Sequence, residues 1–413
     1  MKLYRIFLAI GGKASPTDNN NMWVRNLYEP LVESGHDVYL LNIDEYAQQN
    51  KLGYMSVEAK ERLSNDLPNI FNKEDAIKPF DIFFSYFHTA QIIPAVLKEI
   101  KKKVFTINYS TNFHQFDMYK EVAKNVDLNI YISKVAKSGF DELGVKSYWM
   151  PLAANPTFYK PSLVKNNETV FIGSVYGQRA YLFWRLLQHK VNIQIYGSGW
   201  MEEKIISNTN IKNEEINRTL NKKFKTLVKS VLLNTAGYEI RKAASNINLQ
   251  KNINEQRLEE QLRNHYRNLN EKILSLLRRD YSQNLHPSLN DYEYVRVLSE
   301  TGIVVNIQES RFNHDYFNHQ VLFGSNLRDY EATMCGSFLC TQYSEEIAEL
   351  FEIGKEIICY HNEHDLSEKI HYYSKNTIQR NTIAAAGYKK SIHRHTWQNR
   401  FKDFFEFINL KGN

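Results

Sequence analysis

Asn326-Leu327-Arg328-Asp329-Tyr330-Glu331-Ala332-Thr333-Met334-Cys335-Gly336-Ser337-Phe338-Leu339-Cys340-Thr341 is the most specific stretch of the 413-residue chain. A polar, charged helix start runs through small residues into Gly336 and an apolar strand. An acidic side chain near a helix start suits hydroxyl binding, which makes Glu331 a candidate ligand-binding residue. The same carboxylate would also complement the helix dipole without binding anything.

Outward from this unit the pattern repeats. Apolar strand runs are expected at 303–307 before it and 356–360 after it. Upstream, 170–172 is followed by Gly173, a helix near 181–189, and a strand at 193–196 followed by Gly197-Ser198-Gly199. The first half reads alike: a strand at 4–10 ends in Gly11 and Gly12, a helical stretch covers 22–34, and a strand covers 38–41. Further strands are expected at 82–86, 104–108 and 128–132, with a helix at 90–102. Such alternation implies parallel sheets covered by helices on both faces. Pro151, Pro156 and Pro161 mark an extended linker. The expected domains are therefore 1–155 and 156–413, in keeping with a chain of this length.

The second half is interrupted at about 201–285, where strand alternation is lost. Leu258, Leu262, Tyr266, Leu269, Ile273 and Leu277 recur at three- and four-residue steps, and Glu259 precedes Arg263 by one turn, so the insertion reads as amphipathic helix. Residues 211–280 hold 15 Lys and Arg against 8 Asp and Glu, a local +7 in a chain of net +6. A basic region of this kind suits an anionic membrane or nucleic acid, or is simply a solvated helical face.

Hydrophobic residues at 43% and charged residues at 24% describe a globular protein that buries sizeable cores. The opening apolar run is too short for a signal sequence or a membrane span. Cys335, Cys340 and Cys359 are an odd number without CxxC spacing, so no disulfide framework or zinc site is indicated. The expected location is cytoplasmic and reducing, with a peripheral contact to the inner face of the membrane through the basic insertion.

In open parallel sheets, ligands bind outside the carboxyl ends of the strands, where glycine lets the backbone approach them closely. Candidate loops are Ile10-Gly11-Gly12-Lys13, Ile172-Gly173-Ser174 and Tyr196-Gly197-Ser198-Gly199, which together suit a diphosphate-bearing ligand. Glycine is also required by such turns for conformational reasons alone. Arg179, six residues past Gly173, is placed to clamp a diphosphate beside a helix start. Lys13 and Arg328 are further cations for the same charge, so no metal is expected and no Asp-x-Asp is needed. His88 and His114 are competing candidates to touch the substrate or accept a proton. Asn306, at a strand end, is a candidate for contact with a base or sugar.

The stretch from Arg328 to Thr341, then Gly354-Lys355-Glu356, Asp365-Leu366-Ser367-Glu368, Ala386-Gly387-Tyr388 and His395-Thr396-Trp397-Gln398-Asn399-Arg400, resembles the C-terminal signature of group 1 GT-B glycosyltransferases. The subgroup it is most similar to is the spore-maturation-protein-like one. Phe171-Ile172-Gly173-Ser174, Gly177-Gln178-Arg179, Ile195-Tyr196-Gly197-Ser198-Gly199-Trp200 and Met150-Pro151-Leu152-Ala153-Ala154-Asn155-Pro156 also fit that pattern. The resemblance implies two Rossmann-like domains facing a cleft, a nucleotide-sugar donor held mainly by the C-terminal domain, an acceptor mainly on the N-terminal domain, and retention of anomeric configuration. Glu331 matches the second Glu of the family's Glu-x7-Glu motif, implying ribose binding. The first Glu falls at Phe323, a departure that bears on the grip on the donor sugar.

The expected function is transfer of a sugar from a nucleotide-sugar to a glycan, glycolipid or protein acceptor, without metal or other cofactor. Donor-binding candidates are Gly12, Lys13, Gly173, Ser174, Tyr196, Gly197, Asn306, Arg328 and Glu331; catalytic candidates are His88, His114 and Arg179. The competing readings are a non-catalytic nucleotide-sugar or glycan-binding protein, favoured by Phe323, and a glycosyltransferase acting on nucleic acid. Nucleic acid is the least favoured partner.

Overall fold

The computed structural model describes residues 2–11, 21–46, 55–110, 116–177, 179–201, 270–308 and 324–411. Two six-stranded sheets, parallel throughout, carry the chain. The first has the order β2-β1-β3-β4-β5-β6. Its strands are β1 (Arg5–Ile10), β2 (Asp37–Asn42), β3 (Ile82–Ser85), β4 (Phe105–Ser110), β5 (Leu128–Tyr131) and β6 (Ser147–Trp149). The second has the order β12-β11-β10-β7-β8-β9. Its strands are β7 (Thr169–Ile172), β8 (Ile193–Tyr196), β9 (Leu285–His286), β10 (Ile303–Asn306), β11 (Phe338–Gln342) and β12 (Ile358–Tyr360).

The central strands are buried along their whole length: every residue of β3, β5, β7 and β10 is buried. That is why they read as continuous apolar runs and not as alternating ones. β6, β9 and the Val57–Ile77 helix are additions to the sequence reading. The helix expected at 90–102 begins only at Ala95, after Pro94.

In each sheet the strand order reverses at one point, between β1 and β3 in the first and between β7 and β10 in the second. Diverging connections at such a point leave a crevice outside the carboxyl ends of the strands, where ligands bind. Ile172, Gly173, Asn306 and Ile307 stand at the second crevice.

The insertion between β8 and β9 is described only at its ends; 202–269 lie outside the described residues. Residues 270–280 are helical. Ile273, Leu274 and Leu277 from this helix are buried with Phe171, Phe183, Ile195 and Trp200. This part of the apolar stripe therefore packs on its own sheet. Arg278 anchors it by donating from Nε to the Trp200 carbonyl at 2.9 Å and from Nη2 to the Gly199 carbonyl at 2.8 Å.

The chain crosses between the sheets twice. The proline-rich segment passes outward, and Ala154 bridges Thr396 where the chain returns. The last helix, Trp397–Lys411, lies on the first sheet, burying Phe401, Phe404 and Phe405 with Tyr4, Ile6 and Phe84. Trp397 Nε1 donates to Asn26 Oδ1 at 2.9 Å, which pins this return.

Candidate functional site

The two glycine loops of the second domain extend the β7–β8 ladder past the end of the sheet. Gly173 N–H donates to the Tyr196 carbonyl at 2.8 Å, and Val175 N–H to the Ser198 carbonyl at 3.0 Å. Trp200 Nε1 closes the pair by donating to the Gly173 carbonyl at 2.6 Å. Gly197 has φ +146°, and a Cβ there would lie 2.2 Å from the Gly173 carbonyl oxygen. The loop pair thus demands glycine for close backbone approach. Ser174 and Ser198 meet through their hydroxyls at 3.3 Å on the open side. Tyr196 stacks on His286 with ring centroids 4.4 Å apart.

Arg179 opens the Arg179–Gln188 helix and is 6% exposed. Its Nη1 donates to the Ser174 carbonyl at 2.9 Å and its Nη2 to the Ile307 carbonyl at 3.2 Å. The guanidinium also covers the Tyr176 ring at 3.7 Å. It therefore ties the loop after β7 to the end of β10, the two strands that flank the crevice.

Asn306 ends β10 inside a buried polar network. Its Nδ2 donates to Asp329 Oδ1 at 2.6 Å, and its Oδ1 accepts from Asn326 Nδ2 at 3.2 Å. Asp329 is fully buried and also accepts from Gln308 Nε2, Thr341 Oγ1 and the Asn326 N–H. Burial pushes the Asp329 carboxyl up, and these donors work against that. Asn326 and Asp329 form a capping box, so the Leu327–Met334 helix begins at Leu327 and Asp329 is its capping acid. Glu331 consequently falls in the second turn.

Glu331 is 3% exposed and well supplied with donors. Tyr159 Oη donates to its Oε1 at 2.7 Å, and Tyr294 Oη donates to its Oε2. Arg328 Nη1 lies 3.1 Å from Oε2, while Arg328 Nη2 donates to the Ile172 carbonyl at 3.0 Å, at the end of β7. The Arg328 guanidinium sits over the Tyr294 ring at 4.4 Å. Burial raises the Glu331 carboxyl, and Arg328 and the Tyr159 hydroxyl oppose the rise. Arg328, Glu331, Gly173 and Asn306 are thus gathered at one switch point.

His88 follows β3 in the first domain. The Ala90 N–H donates to its Nδ1 at 3.3 Å, so the neutral ring carries its proton on Nε2. Burial, helped by the charge of Lys60, lowers His88 to about 4. At neutral pH it is an uncharged ring with its proton on Nε2. Gly12, Lys13, His114 and Phe323 lie outside the described residues.

Residues 255–406 match the protein family described as "Glycosyl transferase-like". Among solved structures, the chain is similar to sucrose-phosphate synthase from Thermosynechococcus elongatus, with 9% identity, 99% of both chains covered and a TM-score of 0.60. It is similar to a glycosyltransferase from Rickettsia africae, with 10% identity, 98% of both chains covered and a TM-score of 0.54. It is also similar to HepE from Anabaena in complex with UDP and glucose, with 12% identity, 99% of this chain and 100% of that one covered, and a TM-score of 0.51. The chain has the GT-B fold. No curated protein matches it by sequence.

The GT-B fold accounts for the two sheets and for the crevice at the switch point, and the C-terminal part of the chain is glycosyltransferase-like. Among the described residues, no helix is long and apolar enough to cross a membrane. Sequence reasoning missed Tyr159 and Tyr294, the hydroxyls that fill Glu331. The capping box of Asn290 and Glu293 marks the start of the helix that bears Tyr294, but nothing local assigns its partner.

Proposed function

We propose that the chain is a glycosyltransferase that moves a sugar from a nucleotide-sugar donor, bound by the C-terminal domain, to a glycan, glycolipid or protein acceptor on the N-terminal domain. The observation that carries this reading is Glu331: a buried carboxylate at the β7–β10 switch point, held in one geometry by Arg328, Tyr159 and Tyr294. Such a carboxylate is preorganised to accept from vicinal ribose hydroxyls, which would take the place of the tyrosine hydroxyls at its lone pairs. The glycosyltransferase-like match spans it, and HepE, of the same fold, was solved with UDP-glucose.

The reaction breaks the bond between the anomeric carbon and the diphosphate through an oxocarbenium-like transition state. Negative charge grows on the leaving group and must be met by fixed positive ends. Lys13 and the loop backbone around Gly173 serve this, with Arg179 and Arg328 fixing the loop and strand end that present that backbone. We assign the transfer as retaining and metal-independent. His88, as a neutral Nε2–H donor, suits a hydroxyl of the donor sugar better than a proton-accepting role, which leaves His114 for the acceptor side. The basic insertion, with its 202–269 core outside the described residues, suits a peripheral contact with an anionic membrane where lipid-linked acceptors reside. A cytoplasmic location accompanies that role.

The test is a donor panel that includes UDP-glucose, with and without a chelator. Slow release of nucleoside diphosphate, unchanged by the chelator, supports the reading. Tight binding without turnover of any donor would replace it with a non-catalytic nucleotide-sugar-binding protein. Absence of both would remove it.

A further inference from the structure

The two domains meet at a second seam, away from Glu331. Glu346 opens the Glu345–Leu350 helix that follows β11, and it reaches into the first domain. Its Oε2 accepts from the Lys134 backbone N–H at 2.9 Å and from Ser133 Oγ at 3.2 Å, in the turn that follows β5. Ser133 opens this turn without a side-chain cap of its own, so the acceptor comes from the other domain. Glu346 is 3% exposed, and its Oε1 is buried without a hydrogen-bond partner among the described residues. Gly324 of the second domain presses on the same turn, where a Cβ would lie 3.0 Å from Ser133 Oγ. A surface ion pair between Lys134 and Glu349 flanks the contact.

We propose that Glu346 is a positioning residue that clamps the C-terminal domain onto the N-terminal domain across the cleft. A cleft that admits a donor must open, and opening here requires a buried carboxylate to give up two donors at once. The carboxylate is placed so that its charge is poorly supported. The ammonium of Lys134 pairs with Glu349, whose own negative charge also faces Glu346 and works against its ionisation, and the phenols of Tyr131 and Tyr330 complete the surroundings. Burial therefore raises the Glu346 carboxyl from 4.5 to about 7, against the two hydrogen bonds and Lys134.

The sign follows from linkage. The closed form holds its proton up to about pH 7, whereas an opened, hydrated carboxyl releases it near 4.5. Between those values the closed form binds more protons, so raising the pH through this window favours opening. Glutamine at 346 is neutral at every pH, keeps an acceptor for Lys134 and Ser133, and removes that dependence.

The test uses the full chain in two measurements: radius of gyration by X-ray scattering between pH 5 and 7.5, and hydrogen exchange at the Lys134 amide. The parent should expand as the pH rises. Glu346→Gln should stay compact across the range. Glu346→Ala should be expanded throughout, with Lys134 exchanging about tenfold faster. The control Glu99→Gln, at an exposed pair with Lys102 outside this seam, should follow the parent. A Glu346→Ala protein with the parent's dimensions and exchange would overturn the proposal. So would a Glu346→Gln protein that keeps the parent's pH response, and this second criterion stands even where the alanine variant does not fold. None of these readouts involves a donor, so failure of the clamp and failure of the proposed transfer are separate results.

Discussion

Glu331→Gln separates a structural from a ligand-binding role at the switch point, because the two roles move different observables. In the folded chain Glu331 accepts from Tyr159 Oη at 2.7 Å and from Tyr294 Oη, and pairs with Arg328 Nη1 at 3.1 Å. Glutamine keeps the shape and one oxygen acceptor, but turns an amide N–H₂ toward one of these partners and withdraws the negative charge beside a buried guanidinium. Breaking a buried pair by removing one partner costs about 3–5 kcal/mol. Arg328 retains the Ile172 carbonyl at 3.0 Å and the Tyr294 ring, so the lower end, about 3 kcal/mol, is expected. In a domain of this size that is a fall in Tm of about 6–12 °C. Donor affinity for UDP-glucose, measured by calorimetry at a temperature where the variant is folded, should also fall about tenfold, because a carboxylate acceptor becomes an amide. Tyr294→Phe is the companion: it removes a resident donor that ribose would otherwise displace, so donor affinity should hold or rise. Lowered stability with unchanged affinity in Glu331→Gln would refute ribose binding at this carboxylate. Unchanged stability would refute the buried pair itself.

Gly197→Ala places a Cβ 2.2 Å from the Gly173 carbonyl oxygen at φ +146°, so it should cost about 3 kcal/mol or more and separate the two loops; a melting temperature equal to the parent's would contradict this. His88 is lowered to about 4 by burial and by Lys60, so its stabilising contribution is present above its ordinary 6.5 and is lost as the pH falls toward 4. His88→Asn should flatten that part of the Tm against pH curve, and an unaltered curve would place the loss elsewhere. Reversing Lys222, Lys223 and Lys225 to Glu should abolish salt-sensitive sedimentation with anionic vesicles and leave nucleoside diphosphate release intact; equal binding of the parent to neutral vesicles would remove the membrane role.

Apolar runs bounded by glycine and separated by helical spacing were enough to predict two parallel sheets, because strands buried on both faces must be apolar along their whole length. The glycine loops after β7 and β8 and the segment around Glu331 were equally visible, since turn chemistry and capping act over three or four residues. The partners of Glu331 were not. Tyr159 and Tyr294 lie 172 and 37 residues from it in the chain, and Arg179 reaches the Ile307 carbonyl across 128. Sequence pattern records whether a side chain is buried, whereas the group that satisfies it depends on which elements the packing brings together. Glu346 reads locally as an ordinary acidic residue at a helix start. Only the facing of the two domains turns it inward to Lys134, and only there does its charge meet an environment that resists it. The return of the Trp397–Lys411 helix onto the first sheet has the same origin. Its partner is the apolar face of the first sheet at Tyr4, Ile6 and Phe84, which lies more than 300 residues away in the chain and which no local pattern names.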